Sequence, residues 1–427
     1  MNAFFSKVAH VFRDKSLRKR ILFVFIALIV FRLLTTIPVP GIDTVRLASL
    51  FANNQFFSFL NIFSGGGLAN LSIVMLGVGP YITASIIMQL LTIMSPSLKA
   101  MYQEEGEAGR AKFAQYSRRI SLPLALIQAF SFIVIFQRQG IIPDLDSFAL
   151  VMNVLTIAAG SMLLMWIGEL ITEFGMGNGT SLIIFAGIVA SLPTSVGRML
   201  AGGYDMANLP LHLGLAGLAI IVTYVVVLVT EAERPIPVTY AKQVRGMKVY
   251  GGVSTYLPLR LNQAGVIPII FALSIMLFPQ MIFTYFQASA VPLLAKISSV
   301  GMAFIQNGWL YNTFYFLLVF VFTYFYTAVT FDPIMISENL QKSGAFIPGV
   351  RPGHSTAEYL SKIVTRITLV GALFLGTIAV LPLILQSLQS ASGMTSLAIG
   401  GTSLLIVVSV VLDVVKKLDA QLSMREY

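Results

Sequence analysis

Ionisable side chains that could carry chemistry are scarce within the long apolar stretches of this 427-residue sequence. Glu169, Glu173 and Asp413 lie near the ends of such stretches, and Arg32 alone lies deep within one. A proton or ion relay across a membrane needs acidic groups at mid-depth, because a charge in lipid is costly and is retained for function. The sequence therefore argues against an ion-coupled pump. For Arg32 we expect a guanidinium that reaches outward or bonds to a helix end.

Motifs for nucleotide hydrolysis, metal catalysis and covalent catalysis are also missing. The sequence has no Walker A stretch, no H-E-x-x-H and no cysteine, and its three histidines (His10, His212 and His354) lie outside the apolar stretches or, for His212, at the outermost turn of one. No Ser-His or paired-Asp arrangement lies within those stretches, which argues against an intramembrane enzyme. We therefore expect no catalytic residue, no metal site and no cofactor, and a protein that is not an enzyme.

The apolar stretches are long and numerous enough to indicate an all-α polytopic membrane protein. Hydrophobic residues make up 56% of the chain and charged residues only 11%, whereas soluble domains carry about 25% charged residues. About 20 helical residues cross a hydrocarbon core of about 30 Å. On this basis ten transmembrane helices are predicted, at residues 21–38, 73–94, 120–136, 150–172, 180–200, 211–230, 264–286, 309–331, 364–386 and 395–415.

The positive charges orient these predicted helices. Most of the 28 Lys and Arg residues fall before the first helix, in alternate connections or in the tail. Only Arg46, Arg138, Arg198 and Lys296 lie on the opposite side. Because cytoplasmic loops carry an excess of Lys and Arg, both termini are predicted to be cytoplasmic. The net charge of +10 then reflects topology before any contact with nucleic acid.

Two short phrases recur at corresponding places in the two halves of the chain. Residues 177–184 (GNGTSLII) begin the fifth predicted helix, and residues 400–406 (GGTSLLI) begin the tenth. Residues 77–82 (GVGPYI) and 265–270 (GVIPII) are related in the same way in the second and seventh helices. Either repeat alone could arise by chance in Gly- and Ile-rich helices. Together they predict two five-helix halves of opposite orientation, the inverted repeat of many transport proteins.

The repeated phrases also align four isoleucines, Ile82 with Ile270 and Ile184 with Ile406. Each of them, considered singly, is an ordinary apolar side chain of a membrane helix. Symmetry-related positions would bring all four to a common depth, where a ring of alkyl groups forms a neck too apolar to hold water. The sequence thus indicates a seal against hydrated ions that selects nothing and can widen around a guest.

Several stretches outside the predicted helices are unusual. Residues 61–70 are Gly-rich and semi-apolar, and irregular backbone at membrane depth needs protein or a water-filled cavity around it. We interpret them as a re-entrant element, with a surface loop as the alternative. Residues 231–263 and 332–363 are long, basic connections whose Pro and Gly spacing indicates ordered turns, and we interpret them as docking surfaces. Residues 2–20 fit either an interfacial amphipathic helix or a basic tail.

Phrases along essentially the whole chain resemble the bacterial SecY family, the channel subunits of the protein-export translocon. They are residues 31–32 (FR), 37–43 (IPVPGID), 63–66 (FSGG), 80–91 (PYITASIIMQLL), 177–179 (GNG), 264–268 (AGVIP), 342–346 (KSGAF) and 400–405 (GGTSLL). Their number and order make the resemblance specific. It implies ten transmembrane helices in two pseudo-symmetric inverted five-helix halves around a central, hourglass-shaped pore.

The resemblance also implies roles for particular residues. A pore ring would consist of Val78, Ile82, Ile184, Ile270 and Ile406. A plug at about residues 61–70 would include Phe63, Ser64, Gly65, Gly66, Gly67 and Leu68. Gln89 and Asn262 would be polar contacts near a lateral gate between the second and third helices and the seventh and eighth. Motor or ribosome docking would use Arg245, Lys248, Lys342 and Arg351.

Two positions depart from the family's pattern. Thr180 stands where relatives have a further apolar ring member, one turn before Ile184, which puts a six-membered ring in doubt. Residues 247–248 (MK) stand where some relatives have paired arginines, so the share of that loop in docking is less certain than that of the loop with Arg351.

The organisation implied by these features has four parts. They are a cytoplasmic amphipathic segment at 1–20, an N-terminal half at 21–202 with the plug, a C-terminal half at 203–415 with cytoplasmic loops 231–263 and 332–363, and a cytoplasmic tail at 416–427.

The expected function is a passive channel that translocates unfolded secretory polypeptides across the bacterial plasma (inner) membrane and releases apolar segments laterally into the lipid bilayer. The resemblance implies SecE and SecG as membrane partners, the SecA motor and the ribosome on the cytoplasmic loops, and secretory or membrane-protein substrates with signal sequences. The alternative is a secondary transporter for a small solute, which predicts a charged pocket at mid-membrane.

Overall fold

Helices make up most of the computed structural model of this chain. The structure describes residues 14–39, 61, 64–68, 70–138, 140–143, 145–201, 209–240, 243–245, 248–250, 254–286, 292–391 and 401–423. The chain divides into two units, which are described one at a time. The first comprises Met1–Gly203, Leu277–Ala303 and Val410–Tyr427, and the second comprises Tyr204–Met276 and Phe304–Ser409.

The described elements follow one another in two runs. From residue 14 to 201 they are α1 (Lys15–Leu34), α2 (Gly79–Met94), α3 (Pro96–Gln103), α4 (Gly106–Arg138), α5 (Ser147–Phe174) and α6 (Gly179–Ala201). From residue 209 onward they are α7 (Leu209–Glu231), β1 (Glu233–Tyr240), β2 (Gln243–Arg245), β3 (Lys248–Tyr250), β4 (Ser254–Arg260), α8 (Ile267–Phe286), α9 (Pro292–Gln306), α10 (Gly308–Thr330), α11 (Pro333–Lys342), β5 (Ala345–Phe346), α12 (His354–Ala391) and α13 (Gly401–Ser423).

Several of these helices are long and apolar enough to cross a membrane. Within the described residues, four segments meet that condition: Gly106–Arg138, Ser147–Phe174, Gly308–Lys342 and His354–Leu381. A fifth is formed if α2 and α3, which are bent by 115°, count as one span. These helices support a multi-pass membrane protein. Each of the ten predicted stretches overlaps one helix, but the count of ten spans stays a prediction, and α9 is an apolar helix that the sequence does not predict.

The described part of the first unit starts with a capped helix and contains a sharp bend. The Asp14 carboxylate accepts a hydrogen bond of 2.8 Å from the backbone N–H of Ser16 and so satisfies a free donor at the start of α1. The predicted segment 1–20 is described only from residue 14. α2 ends at Met94, and Ser95 after it is extended because proline at position 96 disfavours the helical conformation of the residue before it. α4 packs against α2, α3 and α5.

Residues 64–68 and 70–78, which precede α2, form successive turns, and most of them are buried. Gly160 of α5 lies so close that a Cβ on it would overlap the carbonyl oxygen of Ile73. Ser161 Oγ donates a hydrogen bond of 2.8 Å to the carbonyl oxygen of Gly77, where a φ of +58° favours glycine. Protein therefore encloses this irregular backbone, as a re-entrant element at membrane depth requires.

An apolar cluster joins the later part of these turns to α4 and α5. Its buried members are Val39, Leu68, Leu71, Met75, Leu76, Ala129, Phe132, Ile133, Ile135, Phe136, Ile141, Ile142 and Ile157. The predicted second span, residues 73–94, begins as a helix only at Gly79, because the turns and Pro80 at the first helical turn set its start.

In the second unit, the two long loops meet in one antiparallel sheet of order β4-β1-β5. β1 pairs with β4, with Ile236 opposite Leu257, and with β5, with Thr239 opposite Phe346. This sheet packs on the first turns of α12 through a buried cluster of Ile236, Val238, Leu259, Ala345, Ile347, Leu360, Ile363, Val364 and Ile367. The sequence predicts ordered turns in these loops, and the structure adds strands that join them.

Candidate functional site

The glycine-rich part of the predicted plug is a tight turn, which we call the plug tip (residues 64–67). The N–H of Gly67 donates to the carbonyl oxygen of Ser64 at 3.2 Å. The N–H of Leu68 donates to Ser64 Oγ at 2.9 Å. Gly65 and Gly66 have φ angles of +67° and +86°, which residues with a Cβ rarely adopt. The composition of the tip is therefore a requirement of its backbone. Phe63 lies outside the described residues.

The plug tip is seated between α1 and α6. Arg32 Nη1 donates a hydrogen bond of 3.2 Å to the carbonyl oxygen of Gly65. A Cβ on Gly65 would overlap Cζ of Phe31, and a Cβ on Gly187 would overlap Cα of Gly65. The guanidinium of Arg32 thus bonds to the plug tip. From the sequence we expect it instead to reach outward or to bond to a helix end.

Three members of the predicted pore ring belong to the first unit. Val78 precedes the first residue of α2 and is buried, and the N–H of Ile82 donates to its carbonyl oxygen at 3.1 Å, one turn further on. Ile184 on α6 is buried, and it lies one turn before Gly187. Residues three apart share a helix face, so the plug tip contacts the face of α6 that carries Ile184.

The other two ring members belong to the second unit, where both are buried. Ile270 lies in the first turn of α8, and Ile406 lies near the start of α13. The meeting of all five side chains in one ring stays a prediction. Thr180 is in the first turn of α6 and faces α5, since a Cβ on Gly168 would lie 3.6 Å from its hydroxyl oxygen.

The two predicted gate residues share an unusual feature, which is a buried amide oxygen without a hydrogen-bond partner in the described part of the chain. Gln89 on α2 donates through Nε2 to Ser85 Oγ at 3.4 Å. Asn262, between β4 and α8, donates through Nδ2 to the carbonyl oxygen of Gly265 at 3.3 Å. Burying an unpaired polar atom costs about 1–3 kcal/mol. A hydrogen-bond donor that reached either oxygen would therefore be stabilising.

The predicted docking residues lie on the second unit's sheet and its neighbours. Arg351 is exposed in the connection between β5 and α12, which is held by a hydrogen bond of 2.8 Å from Thr356 Oγ1 to its carbonyl oxygen. Lys342 is exposed at the end of α11, 3.4 Å from Glu338. Arg245 and Lys248 pair through their backbones in the β2–β3 hairpin.

One ion pair joins α4 to α5 near the end of each apolar stretch. Arg118 Nε lies 2.6 Å from Glu169 Oε1, and a structural ion pair of this kind needs no transport role. Among the described residues, no group of three or more His, Cys, Asp or Glu is placed to hold a metal ion. The described part of the site offers hydrogen bonds, apolar contact and glycine turns rather than reactive groups.

The fold is that of protein-conducting channels. It matches a solved structure described as the structure of a protein conducting channel, with a TM-score of 0.63 and 18% identity over 96% of this chain and 93% of the other. A second match, with a TM-score of 0.61, 18% identity and the same coverage, is Sec61 in the canine ribosome-channel complex from the endoplasmic reticulum. At these identities the structures support the fold alone.

Sequence relatives define the family. The SecY family model matches residues 72–415. The chain is 43% identical to the protein translocase subunit SecY of Thermotoga maritima, over 98% of this chain and 96% of that protein. It is 40% identical to the corresponding protein of Corynebacterium glutamicum, over 99% of each. The chain belongs to the SecY family, as its sequence phrases predict.

Two features of the site are missing from the sequence-based prediction. Neither the bond from Arg32 to Gly65 nor the approach of Gly187 to the plug tip was expected. A signal for Gly187 exists in retrospect, because small residues in membrane helices mark places where backbones approach closely. Arg32 is signalled by its isolation, since a charge within an apolar helix needs a partner.

Proposed function

We propose that this chain is a passive protein-conducting channel that translocates unfolded secretory polypeptides and releases apolar segments sideways into the bilayer. Ten helices in two inverted halves surround the proposed pore, with the plug on its outer side. The chain supplies no reaction of its own, and directional energy comes from partners. The alternative of a small-solute transporter finds no support among the relatives, which are protein translocase subunits.

The observation that carries the mechanism is the contact of the plug tip with the face of α6 that bears Ile184. A guest polypeptide on the proposed axis must displace this tip before it passes the alkyl ring of Val78, Ile82, Ile184, Ile270 and Ile406. The ring then closes around the guest and excludes hydrated ions, because a narrow apolar neck does not hold water.

Lateral release follows from partitioning. Each Leu or Ile contributes about 0.3–0.6 kcal/mol in favour of the bilayer centre, so a segment of about 20 apolar residues favours lipid over the pore. We propose that Gln89 and Asn262 line the exit between the halves. Their buried amide oxygens, unpartnered within the described residues, support this role, because opening exposes them to water or to a polar guest.

The partners act at two places in this proposal. SecE and SecG hold the channel within the bacterial plasma membrane, with both termini of this chain cytoplasmic. The SecA motor and the ribosome dock on the sheet of β4-β1-β5 and its flanking turns, using Arg351, Lys342, Arg245 and Lys248. The solved ribosome-channel complex that contains Sec61 supports the ribosome as a partner.

Site-specific crosslinking of a stalled secretory chain tests the channel. A photoreactive residue is placed at Ile82, at Ile270 or, as the control, at Ile220, an isoleucine of α7 that is 70% exposed. Passage through the ring predicts crosslinks from the first two positions and not from the third. Equal crosslinking at Ile82 and Ile220 would argue that the polypeptide takes another route.

A further inference from the structure

The segment between α1 and α2 has two parts that are held in different ways. The plug base, which we define as Leu68 to Leu76, places Leu68, Leu71 and Met75 in the apolar cluster with Phe132 and Phe136 of α4. The plug tip has no place in that cluster. The base is therefore fixed in the first unit, and the tip is the part that can move while the base remains.

The tip is held by a different kind of contact. The hydrogen bond of 3.2 Å from Arg32 Nη1 ends on a carbonyl oxygen, which any residue at position 65 would provide. Arg32 lies in the last turn of α1, where a cation is favoured by the helix dipole. The side chain of Arg32 is exposed rather than enclosed by the described residues, so apolar packing does not fix this contact in place. A single hydrogen bond of this kind favours the seated position of the plug tip but still allows the tip to leave.

The surface beneath the tip is shaped for close approach of two backbones. Gly187 of α6 meets Gly65 where a Cβ on either residue would overlap atoms of a neighbour. Phe31 supports the other side of Gly65. An added methyl group at residue 187 therefore lifts the tip from the face of α6 that carries Ile184.

We propose that Arg32 and Gly187 are positioning residues that hold the plug tip in its closed position. Arg32 supplies the reversible polar contact, and Gly187 supplies the space. This inference rests on the proposed channel function, since a closed position of the plug tip has meaning only if the tip closes a pore.

Ion conductance of the full complex in planar bilayers, without a secretory substrate, tests the inference. We expect R32M to raise the conductance of the resting channel about tenfold, which corresponds to about 1.4 kcal/mol. R32K keeps a cationic donor, so its resting conductance should be closer to that of the unaltered channel than the conductance of R32M is. R20M is the matched control, because it removes one exposed charge from the other end of α1. Unchanged conductance in R32M would overturn the role of Arg32.

A variant lacking residues 64–67 separates an effect on the tip from a general effect on the fold. If Arg32 acts through the tip, R32M adds no conductance in this background. An equal increase in conductance with and without the tip would show that Arg32 acts elsewhere, and the proposal would fail.

The I82N variant, tested alongside, reports on the pore ring. Unchanged conductance in I82N counts against the channel mechanism. Raised conductance in I82N together with unchanged conductance in R32M counts against the inference alone.

A second variant keeps the test valid if R32M does not assemble. G187A leaves Arg32 intact and should also raise the resting conductance about tenfold, because its methyl group would overlap Gly65 Cα. G217A on α7 is the control, since nothing lies within 4 Å of an added Cβ there. Equal conductance of G187A and G217A would rule out the proposed seat.

Discussion

The hydroxyl of Ser161 on α5 donates a hydrogen bond of 2.8 Å to the carbonyl oxygen of Gly77, two residues before α2 begins. This bond satisfies a backbone acceptor in a buried turn. It also holds the end of the plug-bearing segment next to Val78, the first member of the proposed ring. A side chain of another helix thereby helps to hold the turn that precedes α2.

Loss of this bond is expected to destabilise the first unit. S161A leaves the Gly77 oxygen without its side-chain donor, which should lower the free energy of unfolding by about 1–3 kcal/mol. Denaturation in detergent measures the change. S131A is the control, because its hydroxyl bonds to the Ile127 carbonyl of its own helix at an exposed position, and it should cost less than about 0.5 kcal/mol. Similar losses in the two variants would contradict the assigned role of Ser161.

A polar side chain in the proposed ring is expected to break the ion seal. I82N and I270N each place an amide in the apolar neck, which can then hold water. We expect the resting conductance in planar bilayers to rise at least about tenfold. I82L keeps the alkyl character at the same position and should remain tight. A leak in I82L as large as that in I82N would indicate that shape, rather than polarity, makes the seal.

Truncation beneath the cytoplasmic sheet is expected to loosen both long loops together. Ile236 on β1 is buried in the cluster that joins the sheet to α12, and truncation of a buried Ile to Ala typically costs about 2–5 kcal/mol. I236A should therefore expose residues 231–263 and 332–363 to limited proteolysis. Y256A, at a position of β4 that is 66% exposed, is the control. Cleavage confined to the first loop would argue that β5 is not held by β1.

Charge at the docking surface is expected to affect partner binding without affecting the seal. R351A should weaken binding of ribosomes or the motor about tenfold while leaving resting conductance unchanged. K362A is the control, because Lys362 is an exposed cation nearby in the chain that pairs with Glu358 at 2.9 Å. The comparison is made at low salt, where exposed charges are least screened. Equal binding by R351A and K362A would remove Arg351 from the docking site.

The sequence predicts helix positions well, because apolar runs of span length have few alternatives in a membrane. The prediction for residues 61–70 also depends on local composition, since polar glycine turns at that depth need enclosure. The partners of the turn are different. Gly65 bonds to a residue 33 positions earlier and touches a glycine on α6, and no local pattern encodes either contact.

The strands of the second unit escape prediction for a chemical reason. β1 contains Pro235 and Pro237, and Pro258 of β4 lies opposite Pro235. Proline lacks the N–H that a ladder uses, so such runs read as turns. β5 has only two residues, too few for a periodic signal. The pairing of β1 with β5 depends on a core completed by Leu360 of α12, which only the folded chain assembles.

Because β5 pairs with β1, the two long loops form one structural unit. A chimera that takes residues 231–263 from one relative and 332–363 from another must match Thr239 with Phe346 across the junction. A mismatch leaves an open strand edge on a basic surface, and open edges invite self-association. Variation in either loop is therefore constrained by the other, so the pair is expected to diverge in concert.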